Sequence, residues 1–333
     1  MRILQTLQGS TLLVTGATGS FGRALIGHVL DHHRPARVVA YSRDELKQYE
    51  ARRHFDDDPR LRWVIGDVRD RERLLSAMRG VDQVVHTAAL KQVDTGESNP
   101  SEFVRTNVLG SQNVVDAAIE AGVRKVVALS TDKACRPINL YGATKLVADK
   151  LFIAANLRTA HEDTRFAVVR YGNVLGSRGS VVPFFRETGR AGKSLPITDK
   201  RMTRFWLGLD EAIRFVVESL GLMQGGELFV PRIPSMRIVD LAQAVVPEAL
   251  MHEVGLRPGE KLHEEMIHPD DANVVRLGNR YIVQPTLGDA WDYQQPAGAV
   301  PVPSGFSYSS DQNSQWLTAD ELRTALGPTG DLS

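Results

Sequence analysis

Thr11-Leu12-Leu13-Val14-Thr15-Gly16-Ala17-Thr18-Gly19-Ser20-Phe21-Gly22 decides the fold. The first five residues form an apolar run that reads as a short buried strand. Glycines 16, 19 and 22 make a turn, and a helical pattern runs from residue 23 to about 32. Each glycine has its own physical use. Gly16 permits the tight turn, Gly19 lets the backbone approach a pyrophosphate at the helix N-terminus, and Gly22 lets helix and strand pack closely. A second strand follows at 37–41. Strand, glycine turn, helix and strand together predict a dinucleotide-binding unit, with spacing GxxGxxG rather than GxGxxG.

Working outward, Leu61-Arg62-Trp63-Val64-Ile65, residues 81–86, Lys125-Val126-Val127-Ala128-Leu129 and Phe166-Ala167-Val168-Val169-Arg170 read as further strands. Six strands separated by helices predict an α/β fold, a Rossmann-type doubly wound parallel sheet. Residues 107–121 read as one of the helices, with Asn107 a candidate buried side chain bonded to backbone. From Ser177 the alternation stops and Gly and Pro become frequent. This half reads as a smaller, partly interleaved α+β substrate domain. The expected division is a cofactor domain at 1–175, to which a helix at about 207–223 returns, and a substrate domain at 176–206 and 224–333. A strand is expected at 225–230, an amphipathic helix at 238–246, and a Pro/Gly-rich loop at 294–303.

With 333 residues the chain can bury a large core. Forty basic residues balance forty acidic ones, so charge argues for neither nucleic acid nor an anionic membrane. The one cysteine, Cys135, excludes an internal disulfide and fits a reducing cytoplasm. No apolar run reaches the roughly 18 residues of a membrane span, and Met1–Gln5 lacks the core of a secretory signal. The histidines show no metal-ligand spacing, and no metal is expected.

The second strand ends Tyr41-Ser42-Arg43, with Lys47 a turn later. A cation where an acid would hold the ribose diol favours NADP over NAD. Gly66-Asp67-Val68 is expected along the adenine. Thr87-Ala88-Ala89-Leu90-Lys91 offers small residues beside the cofactor, and Lys91 reads equally as a phosphate or ribose ligand or as a surface lysine.

The chemistry gathers in Ser130-Thr131-Asp132-Lys133, after the fifth strand, and in Tyr141-Gly142-Ala143-Thr144-Lys145. Tyr141 and Lys145 are one helical turn apart on one face. An ammonium there is expected to lower the phenol's pKa and let it take a proton from a sugar hydroxyl. Asp132 and Lys133 add a second acid/base pair. Arg178, Arg186, Lys193, Lys200, Arg201 and Arg204 suggest a phosphate-bearing substrate. Two readings stay open: a nicotinamide enzyme acting on a hydroxyl, or an internal redox cycle in which C4 oxidation acidifies C5, the C6 hydroxyl is expelled and hydride returns to C6.

Gly16–Gly22 and Tyr141–Lys145 resemble the extended short-chain dehydrogenase/reductase superfamily. More closely, the chain resembles the inverting UDP-N-acetylglucosamine 4,6-dehydratases that begin pseudaminic acid biosynthesis. The specific stretches are Thr131-Asp132-Lys133-Ala134, Pro196-Ile197-Thr198-Asp199, Arg201-Met202-Thr203-Arg204-Phe205-Trp206, Val230-Pro231-Arg232-Ile233-Pro234-Ser235-Met236 and Arg257-Pro258-Gly259-Glu260-Lys261-Leu262-His263-Glu264-Glu265. The resemblance covers nearly the whole chain.

It implies that Tyr141 takes the C4 hydroxyl proton, Lys145 lowers its pKa and holds the ribose, and Thr131 bonds the C4 oxygen. Lys133, neutral at that moment, would remove the C5 proton, and protonated Asp132 would assist loss of the C6 hydroxyl. Reprotonation on the opposite face would give the L-configured 4-keto-6-deoxy sugar. Thr18, Ser20, Phe21, Ser130, Asn173 and Val174 would join the cofactor site. Lys91, Asn173, Val181, Val182, Thr198, Met202, Arg204, Arg257 and Glu260 would hold the UDP-sugar. A tightly bound, recycled NADP and a homo-oligomer, dimer or hexamer, are also implied. Retaining glucose dehydratases carry Glu at Lys133, and many relatives carry Pro at Asp94. The alternatives are a UDP-sugar 4-epimerase, a retaining 4,6-dehydratase on a related UDP-sugar, and a non-catalytic NADP-binding regulatory protein.

Overall fold

The computed structural model describes residues 6–176, 180–286 and 288–326. Six strands form as expected: β1 (Thr11–Thr15), β2 (Arg37–Ser42), β3 (Leu61–Ile65), β4 (Gln83–His86), β5 (Lys125–Thr131) and β6 (Arg165–Tyr171). They lie parallel in the order β3-β2-β1-β4-β5-β6. Between them run α1 (Ser20–His32), α2 (Glu45–His54), α3 (Arg71–Met78), α4 (Val93–Ser98), α5 (Pro100–Phe103), α6 (Gly110–Glu120) and α7 (Leu140–Arg158). β4 is buried at every residue, and β5 and β6 at every residue but the first, which is why their sequences are continuous apolar runs. Strand order reverses between β1 and β4, so a crevice opens at the carboxyl ends of those strands.

α1 begins at Ser20, three residues before the sequence pattern suggests. Gly19 is its extended N-cap, and Ser20, Phe21 and Gly22 already belong to its first turn. The 107–121 helix also starts earlier, because Val104–Leu109 forms a π-helix ahead of α6. In that wide turn Asn107 is buried and bonds both backbone groups of Leu90, as expected of it.

The second half contributes β7 (Asn173–Val174), α8 (Val181–Arg190), β8 (Leu195–Ile197), β9 (Thr203–Leu207), α9 (Leu209–Leu222) and β10 (Leu228–Pro231). It continues with β11 (Ser235–Arg237), α10 (Ile238–Val245), β12 (Met251–Glu253), β13 (Glu265–Ile267), β14 (Val274–Leu277), β15 (Arg280–Val283), β16 (Val300–Pro301), β17 (Tyr308–Ser309) and α11 (Ala319–Leu326). A second apolar core, with Phe185, Trp206 and Leu241, gathers under α8, α10 and α11. α9 packs on α1, β5 and β6.

Strands between residues 228 and 301 join the first sheet. β10 adds to β6 as a seventh parallel strand, and antiparallel β15, β14 and β16 extend the sheet to ten. The reason is visible in Leu228-Phe229-Val230, which is buried and covers the free edge of β6. Val300 and Pro301 of the expected 294–303 loop are the outermost strand.

Candidate active site

A cleft of about 860 Å³ lies over the β1/β4 crevice. At one end is the glycine turn. Gly16 has φ +66°, and a Cβ there would stand 2.7 Å from the Thr87 hydroxyl and 2.9 Å from the Ala88 amide. A Cβ on Gly22 would come within 2.5 Å of the Gly16 carbonyl. The backbone is therefore shaped around a close approach, with the unpaired amides of α1 behind it. This cradle fits a pyrophosphate. Thr18, Gly19, Ser20 and Phe21 line it.

Ser42, Arg43 and Lys47 line the cleft at the β2 tip, followed by Val68, Ala88 and Lys91. Asp44 also lies there, but its carboxylate caps α2 through the Lys47 amide at 3.0 Å and pairs with the Lys47 amine at 2.9 Å. Lys47 is thus engaged. Asp67 stands outside the lining. Its carboxylate is held by Arg69 and lies 3.6 Å from Arg43.

β5 delivers Ser130 and Thr131 to the cleft, and a single 3₁₀ turn carries Asp132 and Lys133. Asn139 caps α7, which presents Tyr141 and Lys145. Gly142 fits because a Cβ would overlap the Lys133 carbonyl oxygen. Asp132 is fully buried behind this wall. Its Oδ1 accepts from the Thr131 hydroxyl and from the Lys133 amine, each at 3.0 Å, while Oδ2 has no partner. Asn173, Val174, Arg257 and Glu260 complete the lining.

The protonation states differ from the sequence expectation. Burial pushes the Tyr141 phenol up, to about 12, and the cation pulling against it is Lys133, helped by a hydrogen bond with Thr131. Lys145 is lowered by burial, with Asp149 opposing. Burial also favours a neutral Lys133, but the Asp132 and Glu264 carboxylates outweigh it and raise its pKa. Lys133 therefore rests as an ammonium. Glu264, inside the stretch the resemblance marked, is a site residue that sequence reasoning missed. Its Oε1 lies 3.3 Å from the Lys133 amine.

Several expected substrate contacts are not among the residues that line the cleft. Val182 and Met202 are buried in the second core, where apolar packing uses them. Val181 and Thr198 lie outside the lining. Arg204 is 9 % exposed and donates to the carbonyls of Thr203, Leu262 and Lys261, so it braces the turn that carries Glu264. Of the basic cluster, Arg186, Lys193, Lys200 and Arg201 are also absent from the lining, Arg201 pairing with Asp199 at 2.7 Å. Arg178 lies outside the described residues. No group of three metal-ligating side chains occurs among the described residues, and no helix of theirs is long and apolar enough to cross a membrane.

The chain is 49% identical over 329 residues to a Campylobacter jejuni protein named UDP-N-acetylglucosamine 4,6-dehydratase (inverting), covering 96% of this chain and 98% of that one. It is 40% identical to a Rickettsia canadensis protein named UDP-glucose 4-epimerase, over 81% of this chain and 82% of that one. Among solved structures, Pen from Bacillus thuringiensis matches with a TM-score of 0.88 and 36% identity, over 96% of this chain and 98% of that one. DesIV from Streptomyces venezuelae, a dTDP-glucose 4,6-dehydratase with NAD and TYD bound, matches with a TM-score of 0.68 and 27% identity, over 76% of this chain and 86% of that one. The family model of polysaccharide biosynthesis proteins matches residues 12–285. The chain belongs to that family, among the extended short-chain dehydrogenase/reductase enzymes.

Proposed function

We propose that the chain is an inverting UDP-N-acetylglucosamine 4,6-dehydratase. The observation that carries this reading is Lys133 on the wall of the cleft that also holds Tyr141 and the glycine cradle, with the Asp132 carboxylate directly behind it at 3.0 Å. A plain oxidation or epimerisation at C4 has no use for a second acid/base pair.

Tyr141, bonded to Thr131, takes the proton of the C4 hydroxyl. Nicotinamide, when bound, supplies the hydride chemistry at C4 and C6. Lys133 and Asp132 hold one proton between an amine and a carboxylate. With that proton on Asp132, the pair is a base for the C5 hydrogen and an acid for the C6 hydroxyl. The C5 proton passes to Lys133, the Asp132 proton leaves with the hydroxyl as water, and the pair ends as ammonium and carboxylate. Protonation of C5 from the opposite face then gives the L sugar. Asn173, Arg257 and Glu260 hold the UDP part.

The cofactor proposed is NADP. Arg43 lines the cleft, and the two carboxylates near it are engaged: Asp44 is committed to Lys47, and Asp67, 3.6 Å from Arg43, is held by Arg69. The enzyme is proposed to act in the cytoplasm as a homo-oligomer, at the start of pseudaminic acid biosynthesis.

The test is proton NMR of the protein with UDP-N-acetylglucosamine in deuterated water. A C6 methyl group, deuterium at C5 and L-configuration couplings are expected. The Rickettsia relative's name raises a second reading, a UDP-sugar 4-epimerase, and Lys133→Met separates the two. The dehydratase should lose on the order of 10²–10⁴-fold in turnover; an epimerase should keep its activity.

A further inference from the structure

Glu264 is the carboxylate that the reaction as written does not use. Its side chain is 3 % exposed, yet Oε2 accepts no hydrogen bond. A buried carboxylate of that kind is unfavourable unless cations compensate it. Three face it: Lys133 at 3.3 Å, and Arg204 and Lys261 at 3.9 Å each. Arg204 is already spent on three carbonyl groups, and Lys261 donates to the Cys135 carbonyl. Lys133 is the nearest of the three. The Glu264 backbone is fixed as well, since its amide donates to the Ser310 hydroxyl at 2.9 Å and its carbonyl accepts the Ser310 amide at 2.8 Å.

We infer that Glu264 is a positioning residue for Lys133: with Asp132 it brackets the amine, fixes its place on the cleft wall and weights where their shared proton rests. This rests on the dehydratase reading. An anion beside Lys133 stabilises the ammonium that forms as the C5 proton arrives, so Glu264 strengthens the base without touching substrate. The charged and titratable groups facing Lys133 are Asp132 from its own turn, Tyr141 from α7, and Glu264 and Arg204 from the second half. Among the described residues that face Lys133, Glu264 is the one that adds negative charge from outside the catalytic turn.

Glu264→Gln keeps the shape and removes the charge. In single turnover with UDP-N-acetylglucosamine, reduced nicotinamide should appear at the wild-type rate, whereas deuterium entry at C5 should slow about 10-fold. The limb of the turnover profile governed by Lys133 should move to lower pH, and Glu264→Asp should restore it in part. Equal loss in both steps, or an unmoved limb, would overturn the inference. Should Glu264→Gln fail to fold, ¹³C NMR of lysine-labelled wild-type protein gives the answer, with the Lys133 signal assigned by its loss in Lys133→Met. The amine should stay charged further beyond the ordinary lysine value of about 10.4 in the wild type than in Glu264→Asp, where the carboxylate is drawn back; equal titration in the two, or titration at or below that value, would sink the proposal. A wild-type protein that forms no C6 methyl group would refute the dehydratase reading instead, and the lysine titration would still test the Glu264–Lys133 pairing.

Discussion

Asn139 donates its side-chain amide to the Gly259 carbonyl oxygen at 2.8 Å while its own oxygen accepts the Gly142 amide at 2.7 Å. One side chain thus caps the helix that presents Tyr141 and ties it to the segment that presents Arg257 and Glu260. Gly259 has φ +81°, and a Cβ there would stand 3.0 Å from the Asn139 Cβ, so the approach is close enough to favour glycine. Asn139→Ala should cost about 1–2 kcal/mol by loss of the cap. Asn139→Asp keeps the cap acceptor and loses the donor to Gly259. It should leave the unfolding midpoint nearly unchanged and raise KM for the UDP-sugar, which steady-state kinetics beside a thermal melt would separate.

Arg43 offers a cation at the β2 tip. A charged hydrogen bond to a 2′-phosphate contributes about 1.5–3 kcal/mol. Arg43→Ala should therefore weaken NADP binding by roughly 10–100-fold and leave NAD binding unchanged. Calorimetric titration of stripped protein with each cofactor decides it. Equal loss for both would mean that Arg43 reads no phosphate.

His86 is buried against Thr15 at 2.8 Å, and burial with Lys145 nearby pulls its pKa down to about 3. Its folded value lies below its unfolded one, so the unfolded chain binds the extra proton between about 6.5 and about 3. His86 therefore contributes stability above about pH 6.5 that is lost as pH falls through that window. His86→Gln should show a shallower fall of melting temperature on acidification than the wild type.

Cys135 is buried just after the catalytic turn, and burial pushes its thiol up to about 12. A thiol held protonated is a poor nucleophile. Thiol reagents should label it only after unfolding, and Cys135→Ala should keep full activity. Rapid labelling of the native protein would contradict the buried placement.

Local patterns told most of this in advance. The β1 strand and β3 coincide with their apolar runs, and Tyr141 and Lys145 share a helix face because spacing alone dictates it. What the sequence concealed depends on partners distant along the chain. The charge of Lys133 is held by Glu264 as well as by its neighbour Asp132, and the cation that lowers the Tyr141 phenol against burial is Lys133 rather than the expected Lys145. Arg204 looked like a phosphate ligand because arginine chemistry is the same whether it meets a phosphate or three carbonyl groups. Met202 lies inside one of the specific stretches, yet its apolar side chain, like that of Val182, packs in the second core.

The seating of β10 against β6 has a consequence for how a ribosome delivers this protein. Phe166-Ala167-Val168-Val169 emerges long before Leu228-Phe229, its outer neighbour. At 5–20 residues per second, roughly 3–12 s of elongation separate the two. Throughout that interval the nascent sheet ends in an apolar edge with unpaired backbone groups, open to pairing with another chain. Slower growth and chaperone supply should therefore govern the yield of native protein more than the intrinsic stability of the finished fold.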